Sequence, residues 1–245
     1  MPRALALSPH LDDAAFSAGG SIARMAREGW EVTVATLFTA SVPSPTGFAL
    51  ACQTDKGLPA DTDYMAIRRA EDREACAALG AQAIHLPLRE APHRGYGSAA
   101  ALFGPLRSDD TAHLAAAEAI APLLDELRPD LLLAPQAIGG HVDHVLTVRA
   151  IQVMDLRVPV LWWRDFPYTI RPDTPRRPFE AMLSRFPEVA LPTDPAAKRA
   201  ACAAYATQLG YQFGGLDGLD RALDVTGGHE SARSQGAIPS LARAA

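Results

Sequence analysis

The sequence predicts a single α/β domain built on a mostly parallel sheet with helices on both faces. Three observations carry that expectation. Short apolar runs alternate with longer stretches of helical period, the pattern of repeated βαβ units. The 245 residues are enough for one domain with a substantial core, and 48% hydrophobic against 21% charged residues is a globular balance, not one of disorder. Two of the strand-like runs are each followed by a tight histidine and aspartate cluster, "SPHLDD" at 8–13 and "GGHVDH" at 139–144.

The elements follow in order. Ala4–Leu7 is the first strand. A helix is expected from about Asp13 to Glu28, where Phe16, Ile22 and Met25 are spaced as apolar contacts and Gly29 is a stop. Val32–Phe38 is rich in β-branched residues and reads as the second strand. Residues 40–63 carry Pro43, Pro45, Gly47, Gly57 and Pro59 without a sustained period and read as a long surface loop. A helix over 64–79 with Gly80 as its cap leads to a strand at Ala83–Leu86, and a second long loop covers 87–110. A helix at 112–127 stops before Pro129, and "DLLLAP" at 130–135 is the next strand. A glycine turn then opens the helix of "HVDHVLTVRAIQVM", and "VPVLWW" at 158–163 is another strand. Proline is dense over 164–195 and a last helix runs over 196–209, so the expected core is 3–165 with a C-terminal extension over 166–245. Residues 210–245 carry no clear pattern.

Composition narrows the function classes. Lys and Arg total 23 against 28 Asp and Glu, a net charge of −5, which argues against nucleic acid or an anionic membrane as the main partner. Cys52, Cys76 and Cys202 are far apart and odd in number, so neither a disulfide framework nor a thiolate zinc site is expected, and reduced thiols suit the cytoplasm. The apolar run at the N-terminus is too short for a signal-peptide core, and no later run reaches spanning length. A small molecule is the expected partner, and a homo-oligomer is left open.

The two clusters carry the chemistry. Ligands of open α/β sheets bind at the carboxyl ends of the strands, so parallel strands would bring both clusters to one edge. Together they offer nitrogen and oxygen donors and no thiolate, a set suited to one zinc-type divalent ion with a position left for water. His10 and Asp13, three apart at a helix start, point the same way, and His144 can supply a third ligand. Asp12 lies beside the ion without binding it and is the candidate general base. His141 is placed as a proton donor and Asp143 as the group that holds a histidine. Alone, each cluster reads as a helix cap or a solvated pair; their pairing after two strands carries the inference. Gly19-Gly20 and Gly139-Gly140 make no nucleotide fingerprint, and Ser8, Ser17 and Ser21 lie in no GxSxG elbow.

"SPHLDD", "HVDH" roughly 130 residues later and the intervening "RRAEDREACAALG" resemble the PIG-L/LmbE-like family of zinc-dependent N-acetylglucosaminyl deacetylases. The likeness covers most of residues 3–155, and "KRAACAAYATQL" is similar to a late family helix. It implies a Rossmann-like, LmbE-like fold, with His10, Asp13 and His144 as zinc ligands and Asp12 as base. His141 would donate to the leaving amine or stabilise the oxyanion, and Asp143 would hold a histidine. Arg68 would contact a substrate hydroxyl or phosphate, unless it forms an i, i+3 pair with Glu71. Leu11 and Ala14 depart from the family's usual proline and glutamate, which touches substrate choice and not the ligands.

The expected reaction is metal-assisted removal of acetyl from an N-acetylated amino sugar, giving acetate and a free amine. Two readings compete: a metal-dependent phosphoesterase, which would hold two ions, and a non-catalytic sugar-binding domain with a structural ion. Trp162, Trp163 and Tyr168 are either sugar-stacking faces or core.

Overall fold

The computed structural model describes residues 1–172 and 176–239. The chain begins with β1 (Arg3–Ser8), α1 (Asp13–Arg27) and β2 (Glu31–Thr36), followed by α2 (Gly47–Thr54), α3 (Tyr64–Leu79) and β3 (Gln82–His85). A 3-10 turn at Ala91–Arg94 and α4 (Ala99–Leu102) lead to α5 (Ala112–Leu127), β4 (Leu131–Pro135), α6 (Val142–Val153) and β5 (Val160–Trp163). A second 3-10 turn at Tyr168–Ile170 precedes α7 (Glu180–Leu183), β6 (Glu188–Leu191), α8 (Pro195–Ala203), α9 (Ala206–Phe213), α10 (Leu216–Thr226) and β7 (Glu230–Gln235).

The seven strands form one sheet in the order β3-β2-β1-β4-β5-β7-β6. The first five run parallel, and β7 lies antiparallel between β5 and β6. Alternate residues of the central strands serve different faces. Ala4, Ala6, Leu131 and Leu133 face a core built with α1, α3 and α8, while Leu5, Leu7, Leu132 and Ala134 face one built with α5 and α6. Burial on both faces explains why these strands read as unbroken apolar runs. The chain leaves β1 toward β2 and leaves β4 toward β5, so the order reverses between β1 and β4. That crevice, at the carboxyl ends of the strands, is where open α/β sheets bind ligands.

Several expectations need correction. The loop over 40–63 contains α2, an eight-residue helix held by tertiary bonds: buried Gln53 donates to the carbonyls of Pro59 and Thr62. The loop over 87–110 likewise contains a 3-10 turn and α4. The second strand ends at Thr36, because Leu37 and Phe38 bond back to Ser8 and Pro9 and Phe38 pairs with Pro87. The last expected helix breaks at Ala204–Tyr205, where Tyr205 is drawn into the core and its hydroxyl donates to Asp72 at 2.7 Å. The patternless tail supplies α10 and β7. Trp162 and Trp163 are core residues, each at most 2% exposed, so neither offers a stacking face.

The C-terminal segment locks onto α1 through Glu230. Its carboxylate accepts from the backbone N–H groups of Gly20 and Ser21, from Ser21 Oγ, and from Lys198 Nζ at 2.8 Å. A side chain at Gly20 would meet Thr193 Cβ at 3.1 Å and Glu230 Oε1 at 3.2 Å, so the glycine permits close approach and not nucleotide binding. Lys198 and Glu230 are both buried. Lys198→Met is therefore expected to destabilise the fold by about 3 kcal/mol, the low end for a broken buried pair because Glu230 keeps three donors. Thermal unfolding would read this as a fall of roughly 6–12 °C. No helix among the described residues is long and apolar enough to cross a membrane.

Candidate functional site

The two clusters meet at the β1/β4 crevice. His10 and Asp12 lie between β1 and α1 and Asp13 opens α1; Ser8 Oγ donates to the His10 carbonyl and accepts from the Ala14 N–H, fixing the turn. His141 caps α6, and Asp143 and His144 occupy its first turn. The preceding turn depends on Gly139, which has φ of +98° and would bring any Cβ within 2.8 Å of the Tyr168 ring.

Asp13 Oδ2 is the meeting point of the two clusters. It accepts from the His10 backbone N–H at 2.8 Å and lies 3.2 Å from His10 Nδ1 and 3.1 Å from His144 Nε2. His144 is fully buried, and its Nδ1 is engaged by Asp165 Oδ1 at 2.8 Å, whose other oxygen accepts from the Ile138 N–H. That bond keeps a proton on Nδ1, so Nε2 is the nitrogen that would meet an ion once its own proton is displaced. Nε2 itself is buried without an aligned hydrogen-bond partner.

An unbonded buried ring nitrogen facing a carboxylate and a second imidazole is the arrangement a divalent ion satisfies. Ligands held at about 2.0–2.2 Å from one ion stand about 3 Å apart, as these donors do. His10, His141 and His144 also bring one nitrogen each within 4.8 Å of one another, so His141 competes with Asp13 as a ligand. The geometry favours Asp13, which touches both other donors, whereas His141 Nδ1 is occupied by the Asp143 N–H at 3.2 Å. The residues fit a zinc-type ion.

The electrostatics follow from burial and charge pairing. Burial, then the neighbouring Asp13 charge, raises Asp12 to about 7 against the pull of Arg68 and His10. Burial also raises Asp13, but His144 and His10 outweigh it and hold it well below the carboxylate range. For His144 burial opposes the charged form, yet the Asp13 charge and the bond to Asp165 bring it up to about 9. A divalent ion would displace the proton so held. Burial, then the His10 charge, takes His141 down to about 3, leaving a neutral ring whose proton sits on Nε2 because Nδ1 accepts. Asp143 is fully buried, and the bond to His10 with the charge of Arg94 overcomes burial to keep it ionised.

Several partners were missed in the sequence. Asp143 Oδ2 meets His10 Nε2 at 3.0 Å and accepts from the Ala91 N–H, while Arg94 donates to Oδ1 at 2.6 Å and pairs with Asp110. Asp165 had a signal, since it follows a strand by two residues. Arg94 and Asp110 lie in an aperiodic segment and had none. Arg68 does not pair with Glu71, which instead accepts from Thr207. Its guanidinium binds Glu90 at 2.5 Å and the Leu11 carbonyl, and lies 3.7 Å from Asp12. Tyr168 lines the cavity with its ring edge toward His144.

A cavity of about 260 Å3 opens over His10, Asp12, Asp13 and His141. The 40–63 segment walls it through Phe48, Cys52 and Lys56, and the 87–110 segment through Glu90, Leu102 and Phe103. A second chamber of about 420 Å3 adjoins it, sharing Cys52, Tyr64, Glu90 and Pro92.

The PIG-L family model, described as GlcNAc-PI de-N-acetylase, matches residues 5–155. The chain belongs to the PIG-L family. Among PIG-L relatives, a 2'-N-acetylparomamine deacetylase of Streptomyces fradiae is 34% identical over 170 residues, covering 68% of this chain and 57% of that protein. A 1D-myo-inositol 2-acetamido-2-deoxy-alpha-D-glucopyranoside deacetylase of Mycobacterium sp. (strain KMS) is 31% identical over 171 residues, covering 66% and 54%. The chain thus spans little more than half the length of these relatives. The crystal structure of the A40926 pseudoaglycone deacetylase Dbv21 superposes with a TM-score of 0.76 at 28% identity, covering 97% of this chain and 98% of that one. The likeness to Dbv21 extends through the C-terminal segment that the PIG-L match leaves out, as expected of strands that complete one sheet.

Proposed function

We propose that this PIG-L protein is a zinc-dependent N-deacetylase that hydrolyses the acetamide of an N-acetylated amino-sugar conjugate to acetate and a free amine. The observation that carries the reading is the buried, unbonded Nε2 of His144 facing Asp13 and His10 at the floor of the cavity. The deacetylase relatives support it.

His10, Asp13 and His144 would hold one zinc ion. Bound there, zinc supplies Lewis acidity toward the acetamide carbonyl and makes water more acidic. Asp12 takes the proton of the attacking water, as a buried carboxylate beside the donor cluster that binds none of its histidines. His141 presents its Nε2–H to the oxygen that gains charge as the carbonyl carbon becomes tetrahedral. The C–N bond then breaks, and the proton held by Asp12 passes to the leaving amine. Asp143, clamped by Arg94, steadies His10. Arg68, beside Asp12, is the candidate contact for a sugar hydroxyl or a phosphate. A single donor cluster among the described residues favours one ion over the two of a phosphoesterase. Three thiols, none in a disulfide, suit a cytoplasmic enzyme.

A panel of N-acetylated amino-sugar glycosides assayed for acetate and primary amine tests the reaction; phosphate release without acetate would favour the phosphoesterase instead. Two variants test the assignments. Asp165→Asn, which removes the negative charge and one of the two acceptor oxygens that serve His144 Nδ1 and the Ile138 N–H, is expected to weaken zinc binding about 10- to 100-fold in a chelator competition. His141→Ala should keep one zinc per chain while turnover falls at least about a hundredfold. Loss of zinc from that variant would make His141 a ligand.

A further inference from the structure

Lys56 is a cation lining the cavity that the proposed chemistry leaves unused. It follows α2, and its Nζ donates to the Cys52 carbonyl at 2.7 Å. Two tyrosine rings flank the ammonium, with centroids at 5.3 Å for Tyr64 and 4.9 Å for Tyr211, both within cation–π range. Among the described residues no carboxylate pairs with it within 4.0 Å. Arg68 stacks on the same Tyr64 ring, its Cζ 5.5 Å from the centroid, but already faces two carboxylates, Glu90 and Asp12.

The lining carboxylates are engaged away from Lys56, with Glu90 and Asp12 sharing Arg68. Asp13 is engaged by His10 and His144, and Asp143 by Arg94, so the lining carboxylate without a cation is Asp55, exposed at the rim. Arg171, over the Tyr168 ring at 4.7 Å, adds a positive charge to the same wall. Burial, then the charge of Arg68, depresses the Lys56 pKa, the sign of a cation whose desolvation nothing on the chain fully offsets. An anion would offset both.

Its position says which part of a substrate would bring that anion. Cys52 and Tyr64, two direct contacts of Lys56, are among the residues shared by the two chambers. The cavity over the donor cluster, about 260 Å3, is smaller than the roughly 300–1,000 Å3 of ordinary small-molecule sites. The adjoining 420 Å3 therefore gives room for what lies beyond the acetamido sugar, and Lys56 lines the first chamber against two of the residues that border both.

We propose that Lys56, Tyr64 and Tyr211 form an anion subsite for a carboxylate or phosphate carried by the substrate beyond its acetamido sugar, a proposal that rests on the deacetylase reading. The subsite makes the enzyme selective for acidic conjugates over neutral ones.

Titration calorimetry on the zinc-loaded protein tests it with product-like ligands that cannot turn over: methyl glucosaminide, carboxymethyl glucosaminide and glucosamine 1-phosphate. At least one acidic ligand is expected to bind about tenfold more tightly than the methyl glycoside, as one charge-assisted contact allows, and the two acidic arms tell carboxylate from phosphate. In Lys56→Met, whose unbranched chain can still pack between the rings, the preference should fall to within about threefold, while Lys56→Arg should keep it. Equal affinities in the unmutated protein, or a Lys56→Met variant that weakens all three ligands alike, would overturn the subsite. Acetate release from the N-acetylated methyl glycoside is read separately: its failure with the acidic preference intact sinks the deacetylase reading and not the subsite.

Discussion

Asp12→Ala is expected to cut turnover of an N-acetylated amino sugar by at least about a hundredfold while one zinc per chain stays bound. The two halves of that result have separate causes. Asp12 lies between the proposed ligands His10 and Asp13 in sequence, yet its carboxylate is the one of the pair that touches neither His10 nor His144, and it faces Arg68 at 3.7 Å. Removing it leaves the donor set intact and takes away the proton acceptor. With no ion bound, burial and the Asp13 charge raise its pKa to about 7; a cation bound beside it would lower that value and keep the carboxylate ionised to accept a proton. Steady-state kinetics with elemental analysis of the same sample checks the prediction. Unmutated turnover in Asp12→Ala would remove the residue from the mechanism.

His144→Ala is expected to do the converse, releasing the metal and with it all measurable activity. Its Nε2 is buried without an aligned hydrogen-bond partner, 3.1 Å from Asp13 Oδ2, and Asp165 fixes the ring from behind. The substitution also leaves Asp13 and Asp165 as buried carboxylates short of a partner, a cost of several kcal/mol that lowers thermal stability alongside zinc content. His144→Gln, which retains a polar group in the space, separates the two effects. Zinc content should fall in both variants, and stability less in the glutamine form.

The parts of the molecule visible in the sequence are those whose signal is local. The strands through Leu5 and Leu132 are buried on both faces, so each shows as an apolar run, and the helix Tyr64–Leu79 shows its period with a glycine stop at Gly80. "HLDD" and "HVDH" were legible because each packs its donors within one turn of a helix start. What was hidden depends on distant partners. The α2 helix is anchored by Gln53 bonding to Pro59 and Thr62, and the break before Tyr205 exists because that side chain reaches Asp72 across the core. Nothing near Glu230 in the sequence announces that its strand will run antiparallel beside β5 and pin Gly20. In the site, Arg94 acts on Asp143 from an aperiodic segment where spacing carries no information, whereas Asp165, which holds His144, had only its place two residues after a strand to mark it.

The most direct test of the account is zinc reconstitution: protein stripped with a chelator is titrated with zinc while acetate release from an N-acetylated amino-sugar glycoside is followed. Negligible release from the stripped protein, rising linearly and reaching its plateau at one equivalent, is the predicted result. Acetate release that persists undiminished in the stripped protein, or a plateau that requires two equivalents, would contradict a single-zinc deacetylase built on His10, Asp13 and His144.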